Sequence, residues 1–149
     1  MTSVKVAIER LPEGEGLPLP AYQTAGSSGM DVCAAVGEPV VLAPGEVGLI
    51  SAGFRVAVPP GYEAQVRPRS GLALKFGIAV LNSPGTIDSD YRGPVAIILA
   101  NLGRQPFTIR RGDRIAQMVI CPVVRAEIEE VERVEETARG DGGFGHTGV

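Results

Sequence analysis

Residues 68–75, PRSGLALK, set Arg69 and the Ser70 hydroxyl just where a short helix is expected to begin. A guanidinium fork beside free backbone N–H groups at a helix start is sufficient chemistry for holding a phosphate. An ordinary capped helix with a solvated arginine has the same sequence, so this stretch alone decides nothing. Residues 81–93, LNSPGTIDSDYRG, add a second set. Asn82 carries a donor and an acceptor side by side, the pattern that reads the edge of a base. Asp88 and Asp90 are two apart and share a face if the segment is a strand, where they can hold a cation or orient a water. The Asn-Ser-Pro-Gly turn predicts a hairpin, with Tyr91 in the core as the plainer alternative. Residues 111–118, RGDRIAQM, run from a turn into a strand, with Asp113 expected to pair with a neighbouring arginine and Gln117 further along. Residues 139–148, RGDGGFGHTG, match neither GxGxxG after a strand nor a Walker sequence. A flexible tail with Arg139, Phe144, His146 and Thr147 can instead close over a ligand, Phe144 stacking on a base.

These groups need elements to carry them, and the composition says which kind. Glycine (20) and proline (12) together leave little room for long helices in 149 residues, while 44% hydrophobic residues are too many for a disordered chain. Short runs rich in valine, isoleucine and alanine predict strands at Val4–Ile8, Met30–Ala35, Pro39–Ala43, Val47–Ser51, Phe54–Val58, Tyr62–Arg67, Ile78–Leu81, Val95–Asn101, Phe107–Ile109 and Ile115–Val124. Ser70–Phe76 is the one expected helix, with Ser70 as its N-cap and Gly77 as its stop. Residues 126–136, AEIEEVERVEE, read either as a helix with Ile128, Val131 and Val134 on one face or as an irregular strand. The expectation is an all-β domain over residues 1–136, a sandwich, barrel or jelly roll, followed by a flexible glycine-rich tail over 137–149.

Charge is distributed unevenly. Residues 1–60 hold three basic and six acidic groups, 61–125 nine and four, and 126–149 two and seven. A basic middle in a chain of net charge −3 suits a small polyanionic ligand and argues against general binding to nucleic acid. Two cysteines, Cys33 and Cys121, fit neither a disulfide framework nor a zinc spacing. With no apolar h-region and no membrane-length apolar run, the expected location is the cytoplasm.

The segments AGSSGMDVCAA (25–35), PRSGLALK (68–75), NSPGTIDSDYRG (82–93), RGDRIAQM (111–118) and RGDGGFGHTG (139–148) resemble, in this order, the five motifs of the trimeric dUTPase family. The resemblance runs from about residue 4 to the C-terminus. It implies a jelly-roll subunit, a homotrimer with shared active sites, and Mg²⁺-dependent hydrolysis of dUTP to dUMP and pyrophosphate. That reaction keeps uracil out of DNA and supplies dUMP for thymidylate synthesis. Asp88 is similar to the general base that orients the water attacking the α-phosphorus. Tyr91 matches the aromatic that leaves no room for a 2′-hydroxyl, and Asn82 the group that imitates a pairing partner for uracil. Arg69, Ser70, Gly71 and Gln117 correspond to phosphate contacts, and Asp31 to the acid that reaches Mg²⁺ through bound water. Arg139, Phe144 and Thr147 match the closing tail. His146 stands where serine is more usual, near the γ-phosphate, and Met30 where an aromatic is common.

Two other classes bear on the same residues. A dCTP deaminase uses a similar fold, but the glycine-rich tail and the acid in GTIDSDYRG favour hydrolysis. A non-catalytic nucleotide-binding trimer would lack a catalytic position, whereas Asp31, Ser70, Asp88, Tyr91 and Gln117 are all present.

Overall fold

Alternation of apolar and polar residues builds the sheets. In β8 (Pro94–Asn101) the side chains of Val95, Ile97 and Leu99 are buried, and in β5 (Tyr62–Arg67) those of Ala64 and Val66. Such a strand presents one face to a core and the other outward. The computed structural model describes residues 3–148, with ten strands and one α-helix among them. Met1, Thr2 and Val149, the outermost positions of the expected 1–136 and 137–149 units, lie outside the described residues.

Two four-stranded antiparallel sheets enclose the core. One has the order β1 (Ala7–Arg10), β4 (Val47–Ala57), β8, β6 (Ile78–Val80). The other has the order β2 (Met30–Cys33), β10 (Arg114–Pro122), β5, β7 (Gly85–Ile87). β3 (Val40–Leu42) and β9 (Phe107–Ile109) form a separate pair. Ile50, Ile78, Ile97, Leu99, Ile115 and Met118, drawn from both large sheets, are at most 2% exposed. The all-β jelly-roll expectation with one short helix therefore holds.

Several local expectations are corrected. The runs Val47–Ser51 and Phe54–Val58 form the single strand β4, whose pairing with β8 shifts register between Ser51 and Arg55. A bulge there lies at the junction of the two expected runs. The first strand is Ala7–Arg10 rather than Val4–Ile8, and Pro12–Gly14 makes a 3₁₀ turn after it. Residues 126–136 form neither helix nor strand, with Ile128 and Val134 among the most exposed apolar side chains. Six glutamates repel one another there, and within this chain the apolar stripe has nothing to face.

The largest correction concerns the hairpin expected around Asn-Ser-Pro-Gly. β6 pairs with β8 and β7 pairs with β5, so the two arms belong to different sheets and do not pair with each other. Leu81 N–H still bonds the Ile98 carbonyl at 2.9 Å. Past that point, among the described residues, no strand pairs with β8 on that side, and β7 is the last strand of its own sheet. The connection thus opens a notch between two sheet margins.

Candidate active site

The candidate residues fall into three groups. The first occupies the outward face of the second sheet, where Asp31 lies opposite Gln117 and Gln117 opposite Arg67. Asp31 Oδ1 is 3.2 Å from Arg69 Nε and its Oδ2 is 3.1 Å from Arg114 Nη1, with the Asp31 side chain 16% exposed. Arg69 Nη1 also donates to the Arg114 carbonyl at 3.0 Å, so this arginine is not merely solvated. Gln117 Nε2 donates to the Pro68 carbonyl at 2.9 Å, which joins the group to the start of α1 (Ser70–Phe76). Gly29 passes so close that a Cβ there would come within 2.3 Å of Gln117 Oε1. Burial pushes the Cys33 thiol up from its ordinary value, with the Asp31 carboxylate adding to it against the opposing Arg114 and Arg69 charges.

Ser70 is not the N-cap that was expected. Arg69 holds the extended cap conformation, Ser70 is the first helical residue, and no side chain caps the helix. The Ser70 hydroxyl and the first-turn N–H groups, Gly71 included, are therefore left for another partner.

The second group surrounds the notch. Asn82 and Gly85 line a recess of about 50 Å³ with Val66, Val80 and Thr86. It opens beside a cavity of about 440 Å³ lined by Leu49, Asp88, Tyr91, Pro94, Ala96 and Ile98. Asp88 and Asp90 lie past the end of β7, not in a strand, and both are exposed. Tyr91 is not in the core either, being 44% exposed. Its hydroxyl donates to the Pro94 carbonyl at 3.1 Å, and its ring rests where a Cβ on Gly93 would meet Oη at 2.2 Å. Only glycine at 93 permits that ring position.

The third group is the tail. Arg139 Nε donates to the Gly142 carbonyl at 2.7 Å, and His146 packs on Gly142. Among the described residues every hydrogen bond of segment 137–148 stays within the segment. Phe144 is fully exposed at positive φ, and Thr147 is exposed as well.

The structure thus assembles Asp31, Arg69, Ser70 and Gln117, and separately Asn82, Asp88 and Tyr91, but does not bring these two sets together within one chain. From Asp31 to Asp88 is three strand spacings across the sheet and about four residues along it, on the order of 20 Å at ~4.8 Å per spacing and ~3.4 Å per residue. A concavity of about 960 Å³ lies elsewhere, around Tyr22, Thr24–Ser28 and Tyr62, and has no charged side chain in its lining with which to balance a phosphate.

Arg114 was not singled out by the motifs. Asp113, expected to pair with an arginine, instead accepts from the Arg110 N–H at 2.8 Å, closing its own turn. Arg111 donates to the carbonyls of Glu13 and Glu15, a structural tie.

Among the described residues no three His, Cys, Asp or Glu side chains are gathered as a metal cage, and no helix is long and apolar enough to cross a membrane. Asp31 already spends one lone pair on each guanidinium, so its chemistry suits accepting hydrogen bonds from a hydrated cation brought by a polyphosphate.

Comparison with known proteins shows the family to which this fold and sequence belong. The dUTPase family model matches residues 15–148. The chain is 58% identical over 147 residues to a deoxyuridine 5′-triphosphate nucleotidohydrolase of Caldanaerobacter subterraneus subsp. tengcongensis, covering 99% of each. In structure it is similar to the Staphylococcus bacteriophage 80alpha dUTPase solved with dUpNHpp, at TM-score 0.84 and 28% identity over 97% of this chain and 99% of that one. It is also similar to a mutant dUTPase of the Staphylococcus aureus phage phi11, described for its coordination of a structural Mg(II) ion. There the TM-score is 0.79 and the identity 25%, over 89% of this chain and 99% of that one.

Proposed function

The chain belongs to the dUTPase family, and from that premise we propose that it hydrolyses dUTP to dUMP and pyrophosphate in the cytoplasm, as a homotrimer whose active sites draw on more than one subunit. The observation that carries this reading is the separation of two complementary half-sites. The notch offers unpaired backbone groups, the Asn82 amide and the Tyr91 ring to a base and sugar. The sheet face offers the Arg69 guanidinium and the free N–H donors of the α1 start to phosphates. Neither is an active site by itself. A general base must be within hydrogen-bond reach of the attacking water, and Asp88 is far from the phosphate-binding face of its own chain.

In this reading Asn82 pairs with uracil, and Tyr91, braced by Pro94 and Gly93, supports the deoxyribose and closes off the 2′ position. Asp88 accepts a proton from the water attacking the α-phosphorus, from the side opposite the pyrophosphate, as in-line displacement requires. Arg69, Ser70, Gly71 and Gln117 hold phosphate oxygens while charge moves onto the leaving group. Mg²⁺ would be carried by the triphosphate, with Asp31 holding its bound water, and when bound it supplies neutralising charge to the phosphates. Residues 137–149 act as the closing tail, in which Phe144 stacks on the base while Arg139, His146 and Thr147 reach the phosphates.

Incubation with dUTP and with dCTP tests the proposal. Pyrophosphate and dUMP should form from dUTP with Mg²⁺ present, and no ammonia should be released from dCTP. Ammonia from dCTP, or an inert protein that still binds dUTP, overturns it.

A further inference from the structure

Strict alternation would put Arg114 and Gln117, three residues apart, on opposite faces of β10. They share one. Between Arg114 and Ala116 the pairing of β10 with β2 shifts by a residue, and Ile115 and Ala116 both point inward, at most 1% exposed. This bulge turns Arg114 to the outward face, where its guanidinium meets the Asp31 carboxylate at 3.1 Å.

We propose that Arg114 is a positioning residue for triphosphate recognition, acting through Asp31 to fix the guanidinium of Arg69. The inference rests on the reading of the ligand as dUTP. Arg69 is held at two points, by Asp31 Oδ1 at Nε and by the Arg114 carbonyl at Nη1, and among the described residues Nη2 makes no such contact, which leaves it for a phosphate. Asp31 can hold Nε because its second oxygen is anchored by Arg114. Without the Arg114 side chain, Asp31 and Arg69 turn together about their own side-chain bonds, and the fork must be ordered when the ligand binds. The Arg114 side chain is 51% exposed against 29% for Arg69, consistent with a support lying outside the binding residue.

A double-mutant cycle on the full-length protein separates this role from a direct phosphate contact, with dUpNHpp binding measured by titration calorimetry. Arg114→Gln should weaken binding about tenfold, and the same change in an Arg69→Gln background should add less than about twofold, because contacting residues couple and independent ones add. Arg114→Lys, which retains a cation for Asp31, should recover about half or more of the lost binding free energy, and kcat of Arg114→Gln should stay within about threefold. Thermal melting confirms that the variants are folded, and if Arg114→Gln is not, the Arg114→Lys cycle is read for the same coupling. Losses that add across the two backgrounds, or an Arg114→Gln protein that binds as well as the unaltered one, overturn the inference. Failure of the unaltered protein to bind dUpNHpp overturns instead the reading of function on which it rests.

Discussion

Arg69 is held by Asp31 from β2 and by a carbonyl from β10, whereas Arg139, among the described residues, bonds only to Gly142, three residues along its own turn. Both guanidinium groups are proposed for the same triphosphate, yet one is ordered by the sheet before any ligand arrives and the other is tied to nothing outside its segment. Ordering one backbone residue costs roughly 1–2 kcal/mol, so closing a glycine-rich tail consumes binding energy that the sheet-held arginine keeps. A group already in place adds to affinity in the ground state. A group ordered late contributes chiefly where the charge has moved, in the transition state.

The largest expected effect sets the scale for the chemical step itself. Asp88→Asn should bind dUpNHpp about as well as the unaltered protein and lose ~10²–10⁴ in kcat. A kcat within a few-fold of normal removes Asp88 as the base.

Next come the two arginines. Arg139→Gln should lower kcat by ~10² with little change in KM, the pattern for a donor used in the transition state. Arg69→Gln should mainly raise KM. If steady-state kinetics give the two variants one shared pattern, the contrast between sheet and tail has no functional meaning.

Mixing subunits sharpens the comparison between halves. Asp88→Asn chains and chains ending before Arg139 should both be nearly inactive, while co-refolded hybrids, confirmed by native mass spectrometry, should regain at least about tenfold over either parent because a complete site can form between subunits. Hybrids as inactive as their parents would mean that sites are not shared.

The smallest effect lies beneath the sheet-held cluster. Burial first, and then Asp31, raise the Cys33 thiol, so the folded chain keeps its proton at a pH where the unfolded chain releases it. That contribution to stability is fully present below ~8.5 and is lost as pH rises through the folded value. The Tm difference between the unaltered protein and Cys33→Ala should therefore narrow between pH 8 and 10 by a degree or two on the order of magnitude set by ΔΔG/ΔSm. A constant difference would remove the linkage.

Residue type and order made the single helix and most strands legible, because alternation and turn chemistry are local, and the motifs named Asp31, Arg69, Ser70 and Gln117, which the fold gathers at one place. What escaped was set by register. The bulge at Ile115 brings Arg114 to Asp31, and nothing in RGDRIAQM says which residue a strand will skip. The hairpin expectation failed for a related reason. A turn between two strands shows that the chain reverses, but not which neighbours the arms choose, and here β8 and β5 offered longer partners than the arms offered each other. Asp113 was assigned a charged partner when a backbone N–H three residues away was nearer.

The notch between β7 and the unpaired stretch of β8 also bears on how the protein stays dispersed. Open strand margins invite pairing with other chains, which leads to aggregation. Here the margins face each other across a recess of about 50 Å³, too small for another strand with its side chains. The backbone groups proposed for uracil are thus shielded by geometry from the commonest wrong partner of an exposed strand. A substitution that widened the notch, such as Val80→Gly, would be felt as a tendency to precipitate as well as a loss of selectivity.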